Sequence, residues 1–152
     1  MKNVFDNAKV YDNARVSGNA RVYDNVWVSG DAEVSGNARV SGDAEVSGNA
    51  VVSGNAEVSG YAEVYGNARV SGDAVIEKTS DYLVIGPAKS SGRFTTAHRD
   101  SKIGVRVNCG CFSGTVHEFS KAIETTHKNN QEALEQYRLF CQLIAFNFNV
   151  KP

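Results

Sequence analysis

The stretch Ala32-Glu33-Val34-Ser35-Gly36-Asn37-Ala38-Arg39-Val40-Ser41-Gly42-Asp43-Ala44-Glu45-Val46 decides the fold. It repeats one unit, Ala-x-Val-x-turn-turn, without a slip. Followed outward in both directions, the same period of six places an aliphatic residue at Val4, Val10, Val16 and onward to Val70 and Ile76. From Val10 on, an Ala stands two positions before each of these, with Val26 the single exception. Two residues apart on an extended chain means one face, so Ala38 and Val40 point inward while Arg39 and Ser41 point outward.

The turn pair is Gly-Asn or Gly-Asp in most units and Asp-Asn at Asp6-Asn7, Asp12-Asn13 and Asp24-Asn25. These residues accept positive φ or tight local hydrogen bonds, and 14 Gly against 2 Pro fits turns built on glycine. A helix is excluded, because six residues advance about 600° and would scatter the valines around the cylinder. An antiparallel meander fits poorly, since the strands would be very short and the second inward residue is small in every unit but that of Val26. What remains is a solenoid of short parallel strands.

Val-Ser-Gly-Asn-Ala-Arg and its variants resemble the hexapeptide repeat of left-handed parallel β-helices. The resemblance covers Val4 to Ile76 and implies three hexads per triangular coil, hence about four coils and a prism about 19 Å tall at the usual strand spacing. With 18 residues per coil, Arg15 falls beside Glu33, Arg39 beside Glu57, and Asn19, Asn37 and Asn55 form a ladder ending at Asp73. Solenoids of this family usually trimerise, so a homo-oligomer, specifically a trimer, is expected. Its best-known members are acyltransferases with a catalytic His, yet residues 1 to 76 contain no His and no loop insertion. A degenerate acyltransferase is therefore the third reading, and no enzyme activity is expected. Outward Tyr11, Tyr23, Trp27, Tyr61 and Tyr65 are read as exposed aromatics on a scaffold.

After Ile76 the period stops, which divides the chain into a β-helix at 1–76 and a small α+β domain at 77–152 that covers the last coil. Three strands are predicted there, at Tyr82-Ile85, Arg93-Arg99 and Ile103-Cys109, followed by two helices, a β-β-β-α-α order. Thr115 and Glu118 form a capping box that opens the first helix, with Val116, Phe119 and Ile123 on its apolar face. The second helix begins near Asn129 or Asn130 and buries Leu134, Tyr137, Cys141, Ile144 and Phe148. Val84-Ile85-Gly86-Pro87, Thr95-Thr96-Ala97, Cys109-Gly110-Cys111-Phe112 and Glu118-Phe119 resemble a small domain of phage and prophage proteins. That resemblance implies a phage-borne gene and names no catalytic residue.

No apolar run approaches the roughly 18 to 20 residues of a membrane span, and Met1-Lys2-Asn3-Val4 does not open a signal peptide. A cytoplasmic chain with reduced thiols, no membrane contact and no nucleic acid is expected, in the host cytoplasm if phage-encoded. Residues 1–76 carry 6 Lys/Arg against 10 Asp/Glu and residues 77–152 carry 10 against 7, so the C-terminal half is the better host for an anion. Cys109, Cys111 and Cys141 are read as structural thiols rather than zinc ligands, because no second paired knuckle accompanies them. No metal or cofactor is expected.

The candidate site is the segment Lys89-Ser90-Ser91-Gly92-Arg93 with Thr95, Arg99, Arg106 and Asn108. With Phe94 inward, Arg93, Thr95 and Arg99 would share an open sheet face, joined by Arg106 and Asn108 from the next strand. Three guanidinium groups with nearby hydroxyls suit bidentate capture of a phosphate or carboxylate. The expected function is a non-enzymatic, phage-type binding protein that sequesters a phosphate-bearing small molecule, such as a host nucleotide signal. The alternative is a structural or protein-binding module with the solenoid as a rigid spacer.

Overall fold

Residues 3–152 are described by a computed structural model; Met1 and Lys2, part of the segment judged to lack a leader, lie outside the described residues. Twelve two-residue strands recur every six residues, from β1 (Lys9–Val10) to β12 (Val75–Ile76). They stack into three parallel four-stranded sheets, ordered β1-β4-β7-β10, β2-β5-β8-β11 and β3-β6-β9-β12. Each sheet takes every third strand, so one coil is 18 residues and the solenoid has four coils. The register pairs Arg15 with Glu33 and Arg39 with Glu57, as the sequence spacing requires.

The interior is one aliphatic cluster in which Val22 through Val70 and Ile76 are completely buried. Removing a Val side chain from water contributes roughly 1.5–3 kcal/mol, and the small Ala two residues before each lets the three sides of the prism approach closely. At the corners, Asn19 donates to Asn37, Asn37 to Asn55 and Asn55 to Asp73, each at 3.2 Å. Glycine is needed at the turns for two reasons shown by Gly36: its φ is +67°, and a Cβ there would lie 3.0 Å from the backbone of Gly54 in the next coil. Where Asp replaces it, as at Asp24 (φ 59°), the carboxylate accepts the Gly42 N–H of the coil above at 2.8 Å.

Coil joins coil by backbone hydrogen bonds that run both ways, N–H groups reaching carbonyls one coil later, as from Val51 to Ala68 and Ser53 to Val70, and returning as from Val22 to Asn3. The final coil consequently ends in an edge of N–H and C=O groups with no further coil to meet. A 3-10 turn, Thr79–Asp81, leads from β12 to an antiparallel sheet of four strands: β13 (Tyr82–Ile85), β14 (Thr95–Asp100), β15 (Gly104–Cys109) and β16 (Phe112–Thr115). Helices α1 (Val116–Thr126) and α2 (Gln131–Phe148) follow.

Both helices open as the sequence predicts. Thr115 accepts the Glu118 N–H while the Glu118 side chain takes the Thr115 N–H, and Asn130 caps α2 through the Ala133 N–H. The strands differ from expectation in three respects. A fourth strand, Phe112–Thr115, is present, β15 begins at Gly104, and β14 runs Thr95–Asp100, so Arg93 stands in the loop before it. No helix among the described residues is long and apolar enough to cross a membrane.

Candidate functional site

The frame of β14 decides where the expected site residues go. Thr96 pairs with Asn108, Ala97 with Val107, His98 with Arg106 and Arg99 with Val105. Paired residues share a face, so Arg106 and Asn108 lie with Thr96, His98 and Asp100, while Thr95 and Arg99 lie on the opposite face with Ala97, Val105 and Val107. The single open face expected for Arg93, Thr95, Arg99, Arg106 and Asn108 is not formed.

Each of these residues has a distinct environment. Thr95 is fully buried toward the helices, its hydroxyl without a hydrogen-bond partner. Arg99 places its guanidinium 5.1 Å from the centre of the Phe148 ring. Arg106 donates Nε to Asp100 at 2.7 Å and Nη1 to Ser113 at 3.1 Å. Lys89 forms an ion pair with Glu132, and Ser91 Oγ meets the Tyr137 hydroxyl at 2.9 Å. Arg93 and Arg99 remain exposed, and neither has an acid partner in the ion pairs of the described residues; Arg93 lies against no aromatic ring as Arg99 does.

The face carrying Thr96, His98 and Asp100 covers the end of the solenoid. Thr96 Oγ1 accepts the Arg69 N–H at 3.0 Å, His98 Nε2 accepts the Ser71 N–H at 3.3 Å, and Asp100 Oδ2 accepts the Asp73 N–H at 3.3 Å. Acceptors two apart on β14 thus match the Arg69 and Ser71 N–H groups, and the turn at Gly72 brings the Asp73 N–H to the third acceptor. On another side of the prism, Thr79 Oγ1 and the Tyr82 hydroxyl accept from Glu63 and Tyr65. Tyr82 and Val84 also pack on the aliphatic core. Asn108 completes the closure, donating to the Arg69 carbonyl at 3.0 Å and accepting the Ser71 hydroxyl at 3.3 Å. Side chains here do what a fifth coil's backbone would do, accepting from the N–H groups and donating to the Arg69 carbonyl.

The charge states follow from these contacts. Burial lowers the His98 imidazole below its ordinary value, opposed but not overcome by the Arg99 carbonyl and the Asp100 carboxylate, with Arg106 adding to the lowering. The neutral ring carries its proton on Nδ1, facing the Arg99 carbonyl at 2.9 Å, which leaves Nε2 free to accept. Burial by itself would raise the Asp100 carboxyl, but Arg106 and the N–H groups of Lys102 and Ile103 bring it below the ordinary range. The sequence reading missed His98 and Asp100. Their i, i+2 spacing with Thr96 was the available signal.

Arg93 faces a groove of about 380 Å³ between the solenoid and the C-terminal domain, which it shares with Arg69. Cys109 ends β15 and Cys111 lies in the hairpin turn, so they do not share a strand face; Cys141 is buried. No group of three or more His, Cys, Asp or Glu able to hold a metal occurs among the described residues. His117 is exposed, and His127 stacks on Tyr137 at 4.9 Å.

These features define a β-solenoid whose last coil is closed by a separate α+β domain. The family model described as the YdcK beta solenoid repeat matches residues 8–20, 14–30 and 62–77, all within the solenoid. No curated protein and no solved structure matches the chain.

Proposed function

We propose that this protein is a non-catalytic structural module, a rigid solenoid spacer whose C-terminal domain closes the coil end and joins it to a second copy of the chain. The observation that carries the first part is the inner face of the antiparallel sheet. Thr96, His98, Asp100 and Asn108 are all engaged in holding the last coil. A face so occupied serves rigidity rather than turnover.

The contact surface is on α2. Leu139, Leu143 and Phe146 are 62%, 46% and 87% exposed and stand at i, i+4 and i+7, one stripe along the helix opposite its buried residues. Gln142 and Asn147 flank that stripe without charge, and its one acid, Glu135, stands a turn before Leu139, so an antiparallel twofold pairing about Leu143 keeps the two Glu135 side chains apart. The flat solenoid sides instead carry charged columns such as Lys9, Trp27, Glu45 and Glu63, which favours a dimer through α2 over a trimer of prisms. Light scattering at micromolar concentration tests this. Twice the 16.4 kDa chain mass is expected for the parent and the single mass for Leu143→Glu. A monomeric parent, or a dimer unaffected by Leu143→Glu and Phe146→Glu, overturns it.

A further inference from the structure

The groove between the two domains contains charge that the fold leaves uncompensated. Arg69 projects from β11 (Arg69–Val70), with its backbone held on both sides: Thr96 takes its N–H and Asn108 bonds its carbonyl. Its neighbour across the sheet is Val51, and the acid of that column, Glu33, lies one strand further away. Arg93 enters from the loop before β14 and lies over Gly110, where a Cβ would come 2.8 Å from its Nη1. Gly110 has φ +58°, so glycine serves both the hairpin turn and the seat of the guanidinium.

The ion pairs among the described residues are Lys89–Glu132, Lys102–Asp73, Arg106–Asp100 and Arg138–Glu124. Neither Arg69 nor Arg93 takes part, and no carboxylate lines the groove they share. Half-buried Val51 and Phe94 supply apolar wall beside them, and Asn67 adds an amide. Two guanidiniums facing one space without an acid repel each other, and the arrangement becomes favourable when an oxyanion joins them. The volume is that of a small-molecule site, set at a domain junction where such sites commonly occur.

We infer that Arg69 and Arg93 form a binding site for a small organic oxyanion, a phosphate or carboxylate held between the guanidiniums with its apolar body against Val51 and Phe94. The site exists only when the C-terminal domain is docked, because that docking fixes the Arg69 backbone and brings Arg93 opposite it. It lies apart from the exposed stripe of α2 and does not depend on self-association.

Calorimetric titration of the full chain at low salt with pyrophosphate, adenosine 5′-monophosphate and citrate tests the site and separates phosphate from carboxylate. At least one probe should bind, with affinity falling as salt is added. Arg69→Gln and Arg93→Gln should each weaken that probe about tenfold or more, the loss of one charge-assisted contact, while Arg15→Gln in the same column should not. Gly110→Ala keeps every charge but displaces Arg93, and should also weaken binding; if it does not fold, the two Gln variants decide. Failure of all three probes to bind, or equal binding by parent and both Gln variants, overturns the inference. The mass of the assembly is a separate measurement, so the scaffold reading can fail while this one stands.

Discussion

Replacing His98 with Leu preserves bulk in a completely buried position but removes the acceptor that holds the last coil. Two donors lose their partner, the Ser71 N–H and one N–H of the Asn108 amide, which reach Nε2 at 3.3 and 3.2 Å. An unsatisfied buried donor costs about 1–3 kcal/mol, so the pair amounts to about 2–6 kcal/mol. For a chain of this length that is a fall in melting temperature on the order of 10 °C by far-UV circular dichroism. The same substitution isolates a pH effect. The folded His98 titrates below its ordinary value of 6.5, so between the two values the unfolded chain binds the extra proton. The stability it contributes is full above pH 6.5 and is lost as pH falls through the folded value, when an Nε2–H would point at the Ser71 N–H. Asp100 and Arg106 stay ionised over that window and shift the curve without changing its sign. Melts of the parent from pH 7.5 to 5 should therefore decline, and those of His98→Leu should run flatter from a lower start. Equal melting of the two at pH 7.5, or equal slopes below it, refutes the assignment of Nε2 as the closing acceptor.

Val40→Asp places an unpaired carboxylate at a fully buried position in the prism, at about 4 kcal/mol or more, and should abolish the cooperative melt. A Cβ at Gly72 collides with the Arg106 guanidinium, so Gly72→Ala should break the Arg106–Asp100 pair at about 3 kcal/mol. Combined with Asp100→Asn it should cost clearly less than the two changes summed, which a double-mutant cycle measures. Burial raises the Cys141 thiol to about 11, so iodoacetamide at pH 8 should label exposed Cys111 first and Cys141 only on unfolding, as peptide mass spectrometry would show.

The solenoid was legible because its signal is redundant: thirteen aliphatic positions from Val4 to Ile76 in one register leave no second frame. The helices were legible through their caps, Thr115 with Glu118 and Asn130. The faces of β14 were not. A strand with one wet side alternates polar and apolar residues, but Thr95, Thr96, Ala97 and His98 are all buried, one side by helices and the other by the coil end. The coil end presents backbone N–H and C=O groups, so its partners had to be polar, and Thr96, His98 and Asp100 look in sequence like a solvent face. Placing Arg99 with Arg106 followed from that appearance. Arg93 kept its exposure because it precedes the strand, while Arg69 drew no attention as one more outward residue of the repeat.

The closing contacts draw only on the last coil, and this makes the solenoid behave as a dial. Adding or removing 18 residues upstream of Asn49 would change the length by one coil spacing, about 4.8 Å, and leave the C-terminal domain facing the same way. Adding a single hexad there would leave Thr96, His98 and Asp100 on their donors yet turn the whole domain by a third of a revolution relative to the first coil. Reach and heading are thus set independently, in fixed steps, by duplications that leave the closing contacts and the Arg69–Arg93 groove intact. A repeat so uniform lets a lineage change where its terminal domain points without redesigning any interface.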